Sequence, residues 1–159
     1  MGSIKLEQRQ KVESNQERGR EVQEGGEEKL EEAEVSNAAL EQIEAVDDDD
    51  KAALDAARSE SDGIAKALAE SEIKEPGREV GESLKETSEQ SNEYAETEKS
   101  DAEKASTMEG DFSGVGSELA GELQESGQEF MDIAEEADQI NDELEAEFEQ
   151  LAAALEGVF

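Results

Sequence analysis

The chain has no cysteine, no histidine and no tryptophan, and it holds one proline, one tyrosine and four phenylalanines in 159 residues. Without cysteine there is no disulfide, no thiol nucleophile and no thiolate ligand for zinc or iron–sulfur centres. Without histidine the side chain that titrates nearest neutrality, and the commonest metal ligand, is gone. Positive charge is scarce too: 14 Lys and Arg stand against 47 Asp and Glu, a formal net charge of -33. Phosphates of a nucleic acid would be repelled, and so would an anionic membrane surface. No apolar run is long enough for a transmembrane helix or for the core of a signal peptide. These absences leave no expected catalytic, cofactor-binding or metal site, no direct nucleic-acid partner and no membrane span. They are compatible with a cytoplasmic chain that leaves the cell, if at all, by a leaderless route.

What is present favours helix. Glu, Ala, Leu, Gln and Lys are abundant, and all are good helix formers. Leu, Ile, Val and Phe together number 28 of 159 residues, under the roughly 20% at which a highly charged chain usually stays unfolded. A globular core of ordinary thickness is out of reach. A coiled coil is not, since only two positions in seven face the partner helix.

The apolar residues recur at three-and-four spacing, which places them on one face of a helix. Ile4, Val12 and Val22 are widely spaced, and Gly25-Gly26 interrupts them. Leu30, Ala33, Leu40 and Ile43 follow, then Leu54, Ala57, Ser61, Ile64 and Leu68. Beyond Pro76-Gly77 the stripe reads Val80, Leu84, Thr87, Ser91 and Tyr94, then Ala105, Met108, Phe112, Val115 and Leu119. After a shift near Leu123 it continues through Phe130, Ile133, Ala137, Ile140, Leu144, Leu151, Leu155 and Val158. The phase is kept across Gly110–Gly116, which argues for a continuous path there.

Pro76 is the sharpest break. Proline disfavours helix at the residue before it, and Gly77 tolerates positive φ. The expected fold is therefore all-α: a single elongated antiparallel helical hairpin over 1–159, with arm one at 4–73, a turn near 74–78 and arm two at 79–157. Pairs such as Val12 with Ile140 and Val22 with Phe130 should then face each other. Ser61, Ser88, Ser91 and Asp101 fall near the seam and leave its middle poor in apolar contacts, which points to looseness or to another partner there.

Other clusters have plain readings. The run Asp47-Asp48-Asp49-Asp50 suits a helix start, where carboxylates cap free N–H groups; with Lys51 it also spells an enteropeptidase cleavage sequence. Asp111 to Glu122 has Gly116 and Glu122 where a calcium loop needs them, but Phe112 and Val115 stand where ligands or polar residues belong. The charge runs read as solvated helix faces.

The two-arm layout, the central Glu75-Pro76-Gly77 and the aromatic-plus-acidic segment Tyr94-Ala-Glu-Thr-Glu98 resemble the helical-hairpin proteins of type VII secretion, the WXG100 superfamily and its LXG-type relatives. The chain lacks that family's Trp-x-Gly turn. The resemblance implies a leaderless hairpin that pairs with another helical protein before export.

The expected function is thus a non-enzymatic helical assembly or interaction module, in the role of a targeting or accessory domain of a leaderless secreted effector. The alternative is an acidic module that mimics DNA or shields a basic protein. The hairpin model leaves residues beyond Gln150 without an opposite number. Phe148, Leu151, Leu155 and Val158 are accordingly the candidate partner-binding residues, for a helical protein or for self-association through the C-terminal end.

Overall fold

The computed structural model describes residues 2–43 and 48–159. Every regular element among them is helical: α1 (Gly2–Glu41), α2 (Asp48–Leu68), a π-helical segment (Ala69–Lys74), α3 (Glu75–Ser106), a 3₁₀ turn (Gly110–Phe112) and α4 (Ser113–Glu156). The protein is all-α, as the abundance of helix formers favours. α2 begins at Asp48, inside the acidic run; Asp47, and with it part of the cleavage sequence, lies outside the described residues.

The arms 4–73 and 79–157 and the turn near 74–78 are not observed. Residues 74–78 are helical, and the described helical runs separate after Glu41 and after Ser106 instead. The reason is local. A proline in a helix removes one N–H and crowds the carbonyl four residues back. Here the chain widens into a π turn just ahead of Pro76, and the Glu75 N–H reaches the Glu70 carbonyl. The wider turn takes in one extra residue, a form seen mostly as short bulges in otherwise regular helices. It also explains a phase slip: the buried positions Ala65, Ala69 and Ile73 step by four twice, and the three-and-four alternation resumes from Ile73 to Val80 and Leu84. Gly77 is not a turn residue, and Gly110 is the one described glycine with positive φ, at 71°. The real break is therefore at 107–112, where a continuous path was expected. Gly25-Gly26 does not interrupt α1, which runs through both.

The chain divides into two compact units. Unit one joins Met1–Gln16 to Glu82–Asp142, and unit two joins Glu17–Gly81 to Glu143–Phe159. In unit one, Gln8 Nε2 donates to Ser91 Oγ at 3.0 Å and to the Thr87 carbonyl at 3.3 Å, while Asn15 Nδ2 donates to Ser83 Oγ at 2.8 Å. Partner numbers fall on α3 as they rise on α1, so these two segments are antiparallel. α3 and α4 are antiparallel as well: Tyr94 stacks on Phe130 with ring centroids 5.3 Å apart, and Gly116 lies against Ala105 and Met108. α1 and α4 must then run parallel, which rules out the falling-number pairing expected for Val12 and Ile140. Lys5 joins them, with Nζ 2.8 Å from Glu129 and 5.6 Å from the Phe130 ring centre.

Unit two repeats the arrangement with glycines at the contacts. A Cβ on Gly19 would lie 2.5 Å from Leu144 Cδ1, one on Gly26 would lie 3.0 Å from Ile73 Cγ1 and 3.2 Å from Leu151 Cδ1, and one on Gly77 would lie 2.6 Å from Phe148 Cδ2. Gly19 with Leu144 and Gly26 with Leu151 again set α1 parallel to α4. Arg18 pairs with Glu79 at 3.6 Å, and Lys74 with Glu156 at 2.8 Å. Large side chains on one helix thus seat in glycine notches on another.

Candidate interaction surface

The residues expected to form a free C-terminal anchor are mostly committed to unit two. Phe148 and Leu155 are buried, with Ala152 between them. Phe148 fills the notch at Gly77, and half-buried Leu151 reaches Gly26. Half-buried Val158 follows the end of α4, its N–H directed at the Leu155 carbonyl. The overhang existed only in the two-arm alignment. With three helical segments in unit two, α4 meets α1 and α3 up to its last turn, and the Lys74–Glu156 ion pair closes that end. The pair lies at the surface, with Lys74 exposed and Glu156 half-buried. The Glu156 hydrogen bond lifts the Lys74 ammonium above its ordinary value, desolvation opposes the lift, and Glu70 adds to it.

The exposed apolar surface lies elsewhere. Met108, Phe112, Val115 and Leu119 are 43%, 68%, 61% and 39% exposed. They occupy the connection between α3 and α4 and the first turns of α4. The connection is built by short-range bonds. Thr107 and Met108 donate to the carbonyls of Lys104 and Ala105, and Gly110 takes the left-handed conformation that starts the 3₁₀ turn. Phe112 ends that turn, and 112, 115 and 119 recur at helical spacing, so they share one side of α4.

The packing beneath explains why they point outward. In this part of unit one the seam between α3 and α4 consists of Ala102, Ala105 and Ala120, with Leu123 against them. Gly116 touches the Ala105 carbonyl, and an added Cβ there would lie 2.9 Å from Met108 Cβ. Small residues bring the two backbones close, and no room is left between them for a large side chain. The large residues therefore sit outside the seam that they were expected to fill. The sequence did hold the signal: Gly116, Ala120 and Leu123 form their own three-and-four series, one residue beyond Val115 and Leu119. Gly116 also lies inside α4, so Asp111 to Glu122 does not form a calcium loop.

Around this surface Glu109, Asp111, Glu118 and Glu122 are all exposed. The remaining exposed large apolar residues are scattered: Leu6 and Met131 in unit one, and Val35, Ile43 and Ile64 on three successive segments of unit two. Scattered exposure of this kind is ordinary. Unit two also holds a groove of about 250 Å³ lined by Arg18, Glu21, Val22, Gly25, Glu72, Pro76 and Val80. Within the segment Tyr94–Glu98, Tyr94 is half-buried on Phe130, Ala95 and Glu98 are buried, and Glu96 and Thr97 are exposed. Among the described residues, no three acidic side chains are grouped to hold a metal, and no helix is long and apolar enough to cross a membrane.

Comparison with protein-family models, with curated proteins and with solved structures returns no match.

Proposed function

We propose that this protein is a non-enzymatic helical interaction module that presents Met108, Phe112, Val115 and Leu119 to another protein. One observation carries the reading: in a chain so poor in large apolar residues, four stand in solvent while the seam beside them is built from alanine and glycine. Leaving them exposed favours aggregation and contributes little to folding, whereas burying them against a partner stabilises a complex by roughly 25 cal/mol per Å² of apolar area. The role as an accessory of leaderless secretion belongs to the same proposal, with a change in what would be read. Glu98 is buried and Tyr94 half-buried on Phe130, so the apolar contact offered to an export machinery is the 108–119 surface.

The test is site-specific photo-crosslinking in cells that make the protein. A crosslinker at position 112 should give a discrete adduct, and one at the exposed position Gln124 should not. Equal labelling from both positions refutes the module. The alternative, an acidic module shielding a basic protein, is favoured by the 47 carboxylates. It expects an adduct that is lost at high salt and that does not depend on Phe112.

A further inference from the structure

We infer that the partner seated on the 108–119 surface is a basic amphipathic helix of another protein, an identification that rests on the interaction module proposed above. The surface has two parts with different chemistry. Phe112, Val115 and Leu119 form an apolar row along the start of α4, and Met108 extends it onto the connection from α3. A row at helical spacing, beside the close crossing at Gly116, suits the apolar face of one more helix. Met108 adds an unbranched, polarisable side chain that adapts to the shape of its partner.

The rim selects among the helices that could lie there. Glu109 and Asp111 precede Phe112, while Glu118 and Glu122 lie about 100° and 60° around α4 from Leu119, both on the side away from Gly116 and Ala120. All four are exposed and all carry the same sign. Lys104, in the last turn of α3, is the nearest cation in sequence. A second copy of this chain would set its own four rim carboxylates against these, within a Debye length of about 8–10 Å, and would add its whole charge of -33 to the repulsion. An anionic lipid surface meets the same barrier. A helix with Leu or Phe on one face and Lys or Arg at its borders meets neither, since its cations fall where the rim carboxylates stand. Like-charge juxtaposition rejects wrong partners and opposite charge speeds encounter with the right one, so the rim sets specificity and the apolar row sets residence time.

The experiment uses the full chain and three synthetic helices: an amphipathic Leu/Lys helix, its Leu/Glu counterpart, and a Leu/Lys peptide of the same composition with the apolar face scrambled. Binding is read by fluorescence anisotropy at low and high salt. The Leu/Lys helix should bind at least about tenfold more tightly than either control, equivalent to about 1.4 kcal/mol. The double variant Phe112→Ser, Leu119→Ser should weaken it by at least about tenfold, with helicity and melting unchanged by circular dichroism. Leu6→Ser, elsewhere in unit one, should leave it unchanged. Glu118→Gln, Glu122→Gln should weaken it at low salt and flatten its salt dependence. Equal binding of the Leu/Glu helix overturns the assignment. So does equal binding of the scrambled peptide, which reduces the effect to charge alone. Association of the chain with itself, or with anionic vesicles, that the double variant abolishes also overturns it. An adduct from position 112 in cells without any Leu/Lys helix binding would reject this partner and leave the interaction module standing.

Discussion

Gly77 separates two accounts of the middle of this chain, and its replacement by alanine decides between them. Alanine in place of glycine inside a helix is worth about 1 kcal/mol, because the helix no longer restrains so free a backbone. At Gly25 an added Cβ meets nothing within 4 Å, so Gly25→Ala should realise that gain. For a chain of this size it raises the melting temperature by about 2–4 °C. At Gly77 the same Cβ would lie 2.6 Å from Phe148 Cδ2, 3.1 Å from Cε2 and 3.2 Å from Cγ. Phe148 is buried, so the ring has to shift against its neighbours. Overfilling a packed site costs about 1–3 kcal/mol, which cancels or outweighs the helix gain. Gly77→Ala should therefore melt about 2–12 °C below Gly25→Ala. A glycine at positive φ in a turn would also resist alanine, so a double-mutant cycle is needed. If the clash with Phe148 is the cause, Phe148→Leu should relieve it, and the double variant should be more stable than the two single losses predict. Additive losses, or a Gly77→Ala protein as stable as Gly25→Ala, would refute the seating of Phe148 on Gly77 and the helical path through residues 74–78.

Glu98 is fully buried and neither of its carboxylate oxygens has a hydrogen-bond partner among the described residues; an unpartnered buried polar group costs about 1–3 kcal/mol and a charged one more, so Glu98→Leu should raise the melting temperature by several degrees, and a lower value would show that the carboxylate is satisfied. The hydrogen bond from Lys5 holds the Glu129 carboxyl below its ordinary value, with the charges of Lys5 and then Arg9 adding to it and desolvation opposing. Stabilisation by a depressed carboxyl is fully present above the ordinary carboxylate range and is lost as pH falls through the folded-state value, so the gap in melting temperature between the native protein and Lys5→Met should shrink between pH 7 and about pH 3; a constant gap counts against the pair. With a net charge of -33, self-repulsion opposes compaction, so melting at pH 7 should rise as salt increases from low to physiological ionic strength, and a fall would mean that attractive pairs such as Lys74–Glu156 outweigh it.

The helical class was legible because it depends on composition, and the period of α4 was legible because Phe130, Ile133, Ala137, Ile140, Leu144 and Leu155 carry it in buried positions. α1 concealed its period. Its buried face runs Gln8, Val12, Asn15, Gly19, Gly26 and Ala33, a regular three-and-four series with Val22 half-buried inside it. Ahead of Ala33 only the valines register as apolar, so this part of the helix looks like a polar arm with a flaw at Gly25-Gly26. The same concealment produced the apparent gap at Ser88 and Ser91. Both serines are buried, and Ser91 accepts the hydrogen bond that Gln8 donates. The partner that those positions called for is α1. Folding the chain once at Pro76 could not supply it, because one fold gives each helix one neighbour, and polar seam residues need a second.

The surface at 108–119 is hidden in the sequence for a related reason. Large apolar side chains at three-and-four spacing put Ile64, Val115 and Leu119 on the expected seam. The buried residues are their neighbours Ala65, Gly116 and Ala120. Each is one residue along, which turns a helix face by about 100° and moves the large side chain out of the contact. Where two helices cross closely, smallness is the selected property, and the larger apolar residue beside it is released from the fold. At Ile64 the release is a single exposed side chain. At 108–119 the close crossing lies next to a chain reversal, so Met108 and Phe112 from the connection join Val115 and Leu119 from the helix on one exposed surface. The close approach of α3 and α4 at Gly116 and the apolar surface beside it thus have one cause. A residue that widened that crossing would change both the core of unit one and the face it offers to a partner.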